Sequence, residues 1–295
     1  MNEARIEIPP YFSFEQNLGY LTRSADESMF QVEEGRVYRW IEAGDERHAV
    51  EITDGNEGHI RLRFKDEPST EGRDRIVRYV RDWFDTDTDL APFYAMAEKD
   101  LLLQEAVVRY RGLRLIGIPD LFEALCWGIL GQQINLKFAF KLKKRFVELF
   151  GSHLEWEGRT LHLFPTPERV RELRVEDLTA LQITTRKAEY MIGVAELMAS
   201  GELTKSSLRA AGSLKEAERR LVSIRGIGPW TANYALMRCL RMPNAFPIDD
   251  AGLHIAIKQR LGLSEKPSVK QIRELSAGWA GWESYATFYM WRTTY

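Results

Sequence analysis

Two adjacent carboxylates, Asp249 and Asp250, follow a loop bounded by Pro243 and Pro247 and run directly into AGLHIAIKQRL. An aspartate in front of such a run can act as the N-cap of a helix over Ala251 to Leu261. It can also stand against positive charge developing in a transition state and lower the barrier electrostatically. The two uses are compatible. Upstream, IRGIGPWTANYAL places Gly226-Ile227-Gly228 ahead of Pro229, where a new helix can begin. Glycines tolerate backbone conformations closed to other residues. A hairpin of this kind turns amide N–H groups outward at a helix N-terminus, a natural seat for a phosphate oxygen. An ordinary helix-turn-helix corner uses glycine in the same way, so the glycines alone leave both readings open.

The elements that must carry these residues are predominantly helical. Leu221 to Ile224 reads as the end of a short helix, and a second helix opens at Trp230 and ends near Arg241. From Leu121 onward, LFEALCWGILGQQI leads into NLKFAFKLKKRFVELFG, closed by Gly151 as a C-cap. Trp156 to Phe164 is a small hairpin or loop. Further helices are expected at Thr166–Leu173, Val175–Leu181, Thr185–Ala199 and Leu214–Ile224, and a last, aromatic-rich one at Ala280–Trp291. Before residue 110 the pattern differs. From Ala4 to Lys65, short alternating runs (ARIEI, Phe30–Val32, Val37–Ile41, Ala49–Ile52, His59–Phe64) read as antiparallel strands. Ile76, Val77, Val80 and Trp83–Phe84 then form the stripe of a helix that covers the sheet. The expected fold is an α+β domain with an antiparallel sheet over residues 1–110, followed by an all-α domain over 111–295.

Composition narrows the class. The 295 residues are 44% hydrophobic, ample for a buried core. No apolar run approaches a membrane span, and MNEARIEIPPYF lacks the basic-then-apolar order of a signal peptide, so a cytoplasmic protein is expected. Cys126 and Cys239 sit in apolar helical contexts and read as reduced packing residues, with no four-cysteine array for an iron–sulfur cluster. The five histidines show no metal-ligand spacing, and no metal is assigned. A net charge of -2 is unlike the usual footprint of a nucleic-acid binder. It constrains the whole molecule and says nothing of one face.

The combination IRGIGPWTANYAL plus FPIDDAGL resembles the helix-hairpin-helix (HhH-GPD) DNA glycosylases, and among them the 3-methyladenine DNA glycosylase II branch. The resemblance implies base excision repair: flipping an alkylated purine, such as 3-methyladenine or 7-methylguanine, out of double-stranded DNA and hydrolysing its glycosidic bond to leave an abasic site. The family's register, with a small residue two positions after the catalytic aspartate and an apolar one three after, selects Asp250, since Gly252 and Leu253 fit. Bifunctional relatives carry a lysine nucleophile where this chain has Trp230, which implies a monofunctional enzyme. Trp230, Tyr234 and Trp291 are implied to line a cleft that attracts cationic bases by stacking and cation–π terms; core packing is the competing use of Trp230. Trp279, Trp282 and Tyr285 read as structural.

DNA contacts are implied at Gly226, Gly228, Thr231, Arg186, Gln132 and Gln133. The aligned wedge that fills the gap left by the base is Gln133, where relatives of this branch use an apolar residue; a glutamine pair in an exposed loop is the plainer reading. A side chain at Gly228 is expected both to strain the turn and to block phosphate. Thr185, Arg186 and Lys187 open a helix that could hold another phosphate. Lys137, Lys141, Lys143, Lys144 and Arg145 make a basic helix, equally explained as a solvated face. No cofactor is implied beyond a monovalent cation held by hairpin carbonyls. The expected state is a monomer.

Overall fold

The computed structural model describes residues 2–56 and 58–295. Five strands, β1 (Glu3–Glu7), β2 (Gln31–Glu33), β3 (Arg36–Ala43), β4 (Glu46–Asp54) and β5 (His59–Phe64), pair antiparallel in the order β1-β5-β4-β3-β2. The register sets Val37 opposite Ile52 and Ile52 opposite Leu62, so one face is aliphatic. On it lies α2 (Thr70–Phe84), through Ile76, Val80, Trp83 and Phe84. The other face is also covered, which is why β4 does not alternate cleanly. There Tyr38 and Ala49 pack with Trp156 and Leu161 of a second hairpin, β6 (Ser152–Trp156) and β7 (Arg159–Leu163). The hairpin's two-residue turn has both Glu157 and Gly158 at positive φ, the geometry that matches strand twist.

One element within the stretch read as strands is a helix. α1 (Phe14–Leu21) buries Phe14, Asn17, Tyr20 and Leu21 on one face, with Ser13 as its cap. Asn17 is a polar residue in that stripe because its amide joins α1 to the chain after residue 110: it donates to the Gly112 carbonyl, and its Oδ1 accepts from Arg114 N at 2.9 Å. Two short helices, α3 (Ala91–Ala97) and α4 (Gln104–Arg109), complete this half.

The helical half follows with α5 (Leu121–Gly131), α6 (Leu136–Phe150), α7 (Pro167–Val170), α8 (Val175–Thr179), α9 (Thr185–Ala199), α10 (Lys205–Arg209), α11 (Leu214–Val222), α12 (Pro229–Arg238), α13 (Ala251–Leu261), α14 (Val269–Leu275) and α15 (Glu283–Arg292). Two expected boundaries move. α12 stops at Arg238, because Arg241 turns to φ 62 and sends its guanidinium across to Asp82 and the Trp83 carbonyl. The final helix does not begin at Ala280: a 3-10 turn over Ala277–Trp279 and Gly281 at φ +79 break the chain first. Gly151 does end α6 but in an extended conformation (φ -80, ψ 175). Its need for glycine is space, since a Cβ there would lie 2.3 Å from the Leu163 carbonyl oxygen.

The aliphatic face of the sheet and the helices share one continuous core. Buried polar groups stitch the halves together. Lys143 on α6 meets Glu123 of α5 at 2.8 Å and Glu27 at 3.3 Å, and Arg39 of β3 meets Glu123 at 3.5 Å. The hydroxyls of Tyr94 and Tyr289 lie 2.8 Å apart, and Tyr285 donates to Asp85. Among the described residues no helix is long and apolar enough to cross a membrane.

Candidate active site

Asp250 caps α13. Its φ of -66 and ψ of 123 leave the helical region, and Oδ1 accepts the Leu253 N–H at 2.8 Å. The same carboxylate takes two indole N–H groups: Trp291 Nε1 donates to Oδ1 at 2.6 Å and Trp230 Nε1 to Oδ2 at 3.0 Å. Three neutral donors therefore fix the group in one orientation, with no ammonium or guanidinium hydrogen-bonded to it among the described residues. Asp250 is 9% exposed, whereas Asp249 is open to solvent. The loop that delivers them is itself pinned. Ser284 Oγ donates to the carbonyls of Met242 and Ala245, Asn233 Oδ1 accepts from Phe246 N, and His254 Nε2 lies 2.9 Å from the Ile248 carbonyl.

The aromatic residues form a tier beside this carboxylate. Trp230 stacks on Tyr234 (centroids 5.4 Å apart, 26° between planes), and Tyr234 faces Trp291 at 6.0 Å. Trp230 and Trp291 are half-buried, whereas Tyr234 is 5% exposed. Burial pushes the Tyr234 phenol up to about 12, and its oxygen accepts from Arg238 Nη1 at 2.9 Å. Trp230 thus packs against the edge of the core while donating to the carboxylate, so the two uses coexist. Trp279 and Tyr285 lie in the core. Gly252 leaves room for the arrangement, since a Cβ there would stand 3.0 Å from Asp250 Oδ1 and 3.3 Å from Trp291 Cδ1.

The hairpin joins α11 to α12. Gly226 has φ +92, and a Cβ on it would collide with the Tyr190 ring of α9 at 2.1 Å. Gly228 is different and corrects the expectation of strain: its φ of -88 and ψ of 176 are open to any residue, and a Cβ would meet nothing within 4 Å. Among the described residues the N–H groups of Gly226, Gly228, Trp230 and Thr231 find no acceptor, while Ile227 N is used by Ile224 O. Thr231 is only 2% exposed, backbone included, so it supports the hairpin from beneath. Its hydroxyl accepts from Gln132 Nε2 at 3.2 Å, and the same amide donates to the Gly226 carbonyl at 2.9 Å. Gln132 therefore ties the end of α5 to the hairpin. Gln133, at φ 57, is exposed beside it.

Two readings of basic residues need correction. Lys187 is 8% exposed and donates to the Leu130 carbonyl at 2.7 Å, so it cannot reach a phosphate; Arg186 and Thr185 beside it are exposed. Lys143 belongs to the buried network, Lys144 lies 4.0 Å from Glu148 and the exposed Arg145 donates to Gln182, leaving Lys137 and Lys141 as the exposed members of the α6 series with no such partner among the described residues. A groove of about 650 Å³ runs along the hairpin past Gln132, Tyr190, Arg225, Gly228, Trp230 and Asp249. A larger cleft, about 1000 Å³, lies between α2, β3 and the start of α5 and contains none of the carboxylate or aromatic residues above. Of the cations lining it, Lys205 and Arg241 are committed to Asp82, Arg81 to Asp87, Arg75 to Glu71 and Arg39 to Glu123.

The sequence left Tyr190, Asn233 and Arg238 unassigned and gave Lys187 to a phosphate, although each packs or hydrogen-bonds within the site. For Asn233 and Arg238 a signal existed: polar residues inside WTANYALMR, a helix otherwise apolar enough to be fully enclosed, require internal partners.

Residues 126–281 match the HhH-GPD superfamily base excision DNA repair protein family, and residues 9–125 match the 8-oxoguanine DNA glycosylase N-terminal domain. A DNA-3-methyladenine glycosylase of Bacillus subtilis is 50% identical over 98% of this chain and 96% of its own. The solved 3-methyladenine DNA-glycosylase of Archaeoglobus fulgidus superposes with a TM-score of 0.83 at 25% identity, covering 98% of this chain and 97% of that one. A Schizosaccharomyces pombe 3-methyladenine DNA glycosylase in complex with abasic DNA matches with a TM-score of 0.54 at 25% identity, over 68% and 94% of the two chains. A hairpin with open amides, a carboxylate held beside an aromatic tier and a match across more than half of the chain agree: this chain belongs to the HhH-GPD superfamily of base excision DNA repair proteins.

Proposed function

We propose that this DNA N-glycosylase removes alkylated purines hydrolytically from double-stranded DNA and leaves an abasic site. The observation that carries the reading is the Asp250 carboxylate, gripped by three neutral N–H donors against the Trp230–Tyr234–Trp291 tier. A purine alkylated at N3 or N7 is a cation, and the faces of electron-rich rings attract it. As the C1′–N bond breaks, its electron pair passes to the base, which leaves neutral, and positive charge moves to the sugar. A carboxylate without a countering cation beside it stabilises that oxocarbenium-like state, and water then adds to C1′ and loses a proton. Trp230 occupies the place of the lyase lysine, so no Schiff base forms and strand cleavage is not part of the reaction. The Bacillus subtilis relative carries the name DNA-3-methyladenine glycosylase, in keeping with this substrate class.

The remaining assignments follow the same reading. The amides of Gly226 and Gly228 take a phosphate with Thr231 supporting them from beneath, Arg186 takes a neighbouring one, and Gln133 enters the gap left by the base. Gln132 serves DNA indirectly, by holding the hairpin. A monovalent cation at the hairpin would use carbonyls other than that of Gly226, which already accepts from Gln132. Residues 1–110 act as the sheet-bearing domain and 111–295 as the glycosylase domain of a cytoplasmic monomer. The test is incubation with methylated duplex DNA and chromatography of released bases. Free 3-methyladenine or 7-methylguanine from the wild type, and none from Asp250→Asn, is expected; release undiminished in Asp250→Asn sinks the reading.

A further inference from the structure

Lys187 puts a cation where two effects oppose it. It is the third residue of α9, whose own N-terminal dipole disfavours positive charge. It is also buried, and burial lowers the proton affinity of its ammonium, with no carboxylate hydrogen-bonded to it among the described residues. A methionine would fill much the same space without either cost. What Lys187 alone supplies is a donor to the Leu130 carbonyl, at 2.7 Å. That carbonyl is one of the last in α5, unsatisfied within its own helix and lying at the negative end of the helix dipole.

Immediately beyond it the chain turns through Gln132 (φ -58, ψ 127) into Gln133 at φ 57. One turn further along α9, the Tyr190 ring occupies the space that a Cβ on Gly226 would need. The start of α9 therefore touches both the glutamine turn, through Lys187, and the hairpin, through Tyr190, and Gln132 closes the triangle.

We propose that Lys187 is a positioning residue for base extrusion: by capping the Leu130 carbonyl it holds the α5 turn so that Gln133 enters the duplex in step with phosphate capture at the hairpin. The proposal rests on the glycosylase reading and on Gln133 as the group that replaces the flipped base.

The experiment is single-turnover excision from two duplexes, one with 7-methylguanine facing cytosine and one with the same base facing an abasic site, where extrusion costs less. Lys187→Met is expected to slow excision about tenfold on the paired duplex and by less than about twofold on the unpaired one. Lys187→Arg, which keeps a cationic donor, restores the paired rate to within about threefold. Gln133→Ala shows the same pattern, and the double variant is no slower than the worse single one, because both act through one turn. Equal losses on the two duplexes, no loss at all, or additive losses overturn the proposal. Should Lys187→Met lack a cooperative thermal transition, Lys187→Gln is read on the same pair of duplexes, where a paired-only loss supports the proposal and an equal loss overturns it. A wild type that releases no base from either duplex defeats the glycosylase reading itself. A Gln133→Ala variant indifferent to pairing defeats the wedge, and this proposal with it.

Discussion

Asp250 caps α13 and, on the proposed reading, also serves the chemistry, and a pair of substitutions separates the two. Asparagine keeps an oxygen for the Leu253 N–H and the Trp291 indole but turns an NH2 toward the Trp230 indole, so Asp250→Asn is expected to fold with the cap intact at a small loss of melting temperature and to bind an abasic-site duplex while losing base release. Asp250→Ala loses the cap as well, which costs about 1 kcal/mol of stability, measurable by urea unfolding. Asp249→Asn is expected to be nearly silent in all three measurements, since that side chain is exposed; if it alone abolishes release, the assignment moves one residue. The hairpin glycines divide in a similar way. Gly226→Val places a branched side chain at φ +92 against Tyr190, and its loss of stability is expected to exceed the roughly 1–3 kcal/mol of backbone strain alone. Gly228→Val meets nothing in the free protein, so it is expected to fold normally and to lose duplex affinity only. Spacing alone left Asp249 and Asp250 as alternatives; the family register selected Asp250. What distinguishes Gly226 from Gly228 was not legible, because that difference comes from the Tyr190 ring, thirty-six residues away in sequence.

At the scale of elements, buried charge joins the sheet half to the helical half through Glu27, Lys143, Glu123 and Arg39. Burial works to raise the Glu27 carboxyl, but the Lys143 charge and the Met29 N–H outweigh it, and the net shift is downward from 4.5. A depressed carboxyl contributes stability above its unfolded value and loses it as pH falls through the folded one. Lys143→Met is expected to cost about 3–5 kcal/mol at neutral pH, because two buried carboxylates lose a partner. The gap between variant and wild type should then narrow as the pH drops below 4.5, which urea unfolding at a series of pH values measures. Helix periodicity exposed α5, α6 and α9 in the sequence. It did not expose α1, whose buried stripe is interrupted by Asn17, nor the break at Gly281, which sits inside an otherwise continuous aromatic pattern.

For the whole molecule, the net charge of -2 fits the proposal that the DNA backbone is held chiefly through amides. Amide contacts displace few counterions. The salt dependence of duplex binding is therefore expected to be shallow, with a log–log slope of magnitude about 3 or less, each neutralised phosphate contributing about 0.9. A slope of magnitude about 6 or more, measured by fluorescence anisotropy across a salt series, would reveal a basic footprint that these contacts omit. The order, sheet first and helices after, was legible from the switch from alternating to helical period along the sequence. Their shared core was not, since it depends on pairings such as Tyr94 with Tyr289 that no local pattern announces.

The two indoles that wall the cleft are also the ones that hold the carboxylate. On the proposed reading, recognition and turnover are built from the same parts, which leaves the pocket little freedom to evolve toward new lesions one residue at a time. Trp230→Phe keeps a stacking face but removes the donor to Oδ2, so a change meant to retune which base is accepted also loosens the group that removes it. New specificities would arise more readily through exposed positions that leave this pairing intact, such as Gln133, than through the aromatic walls themselves.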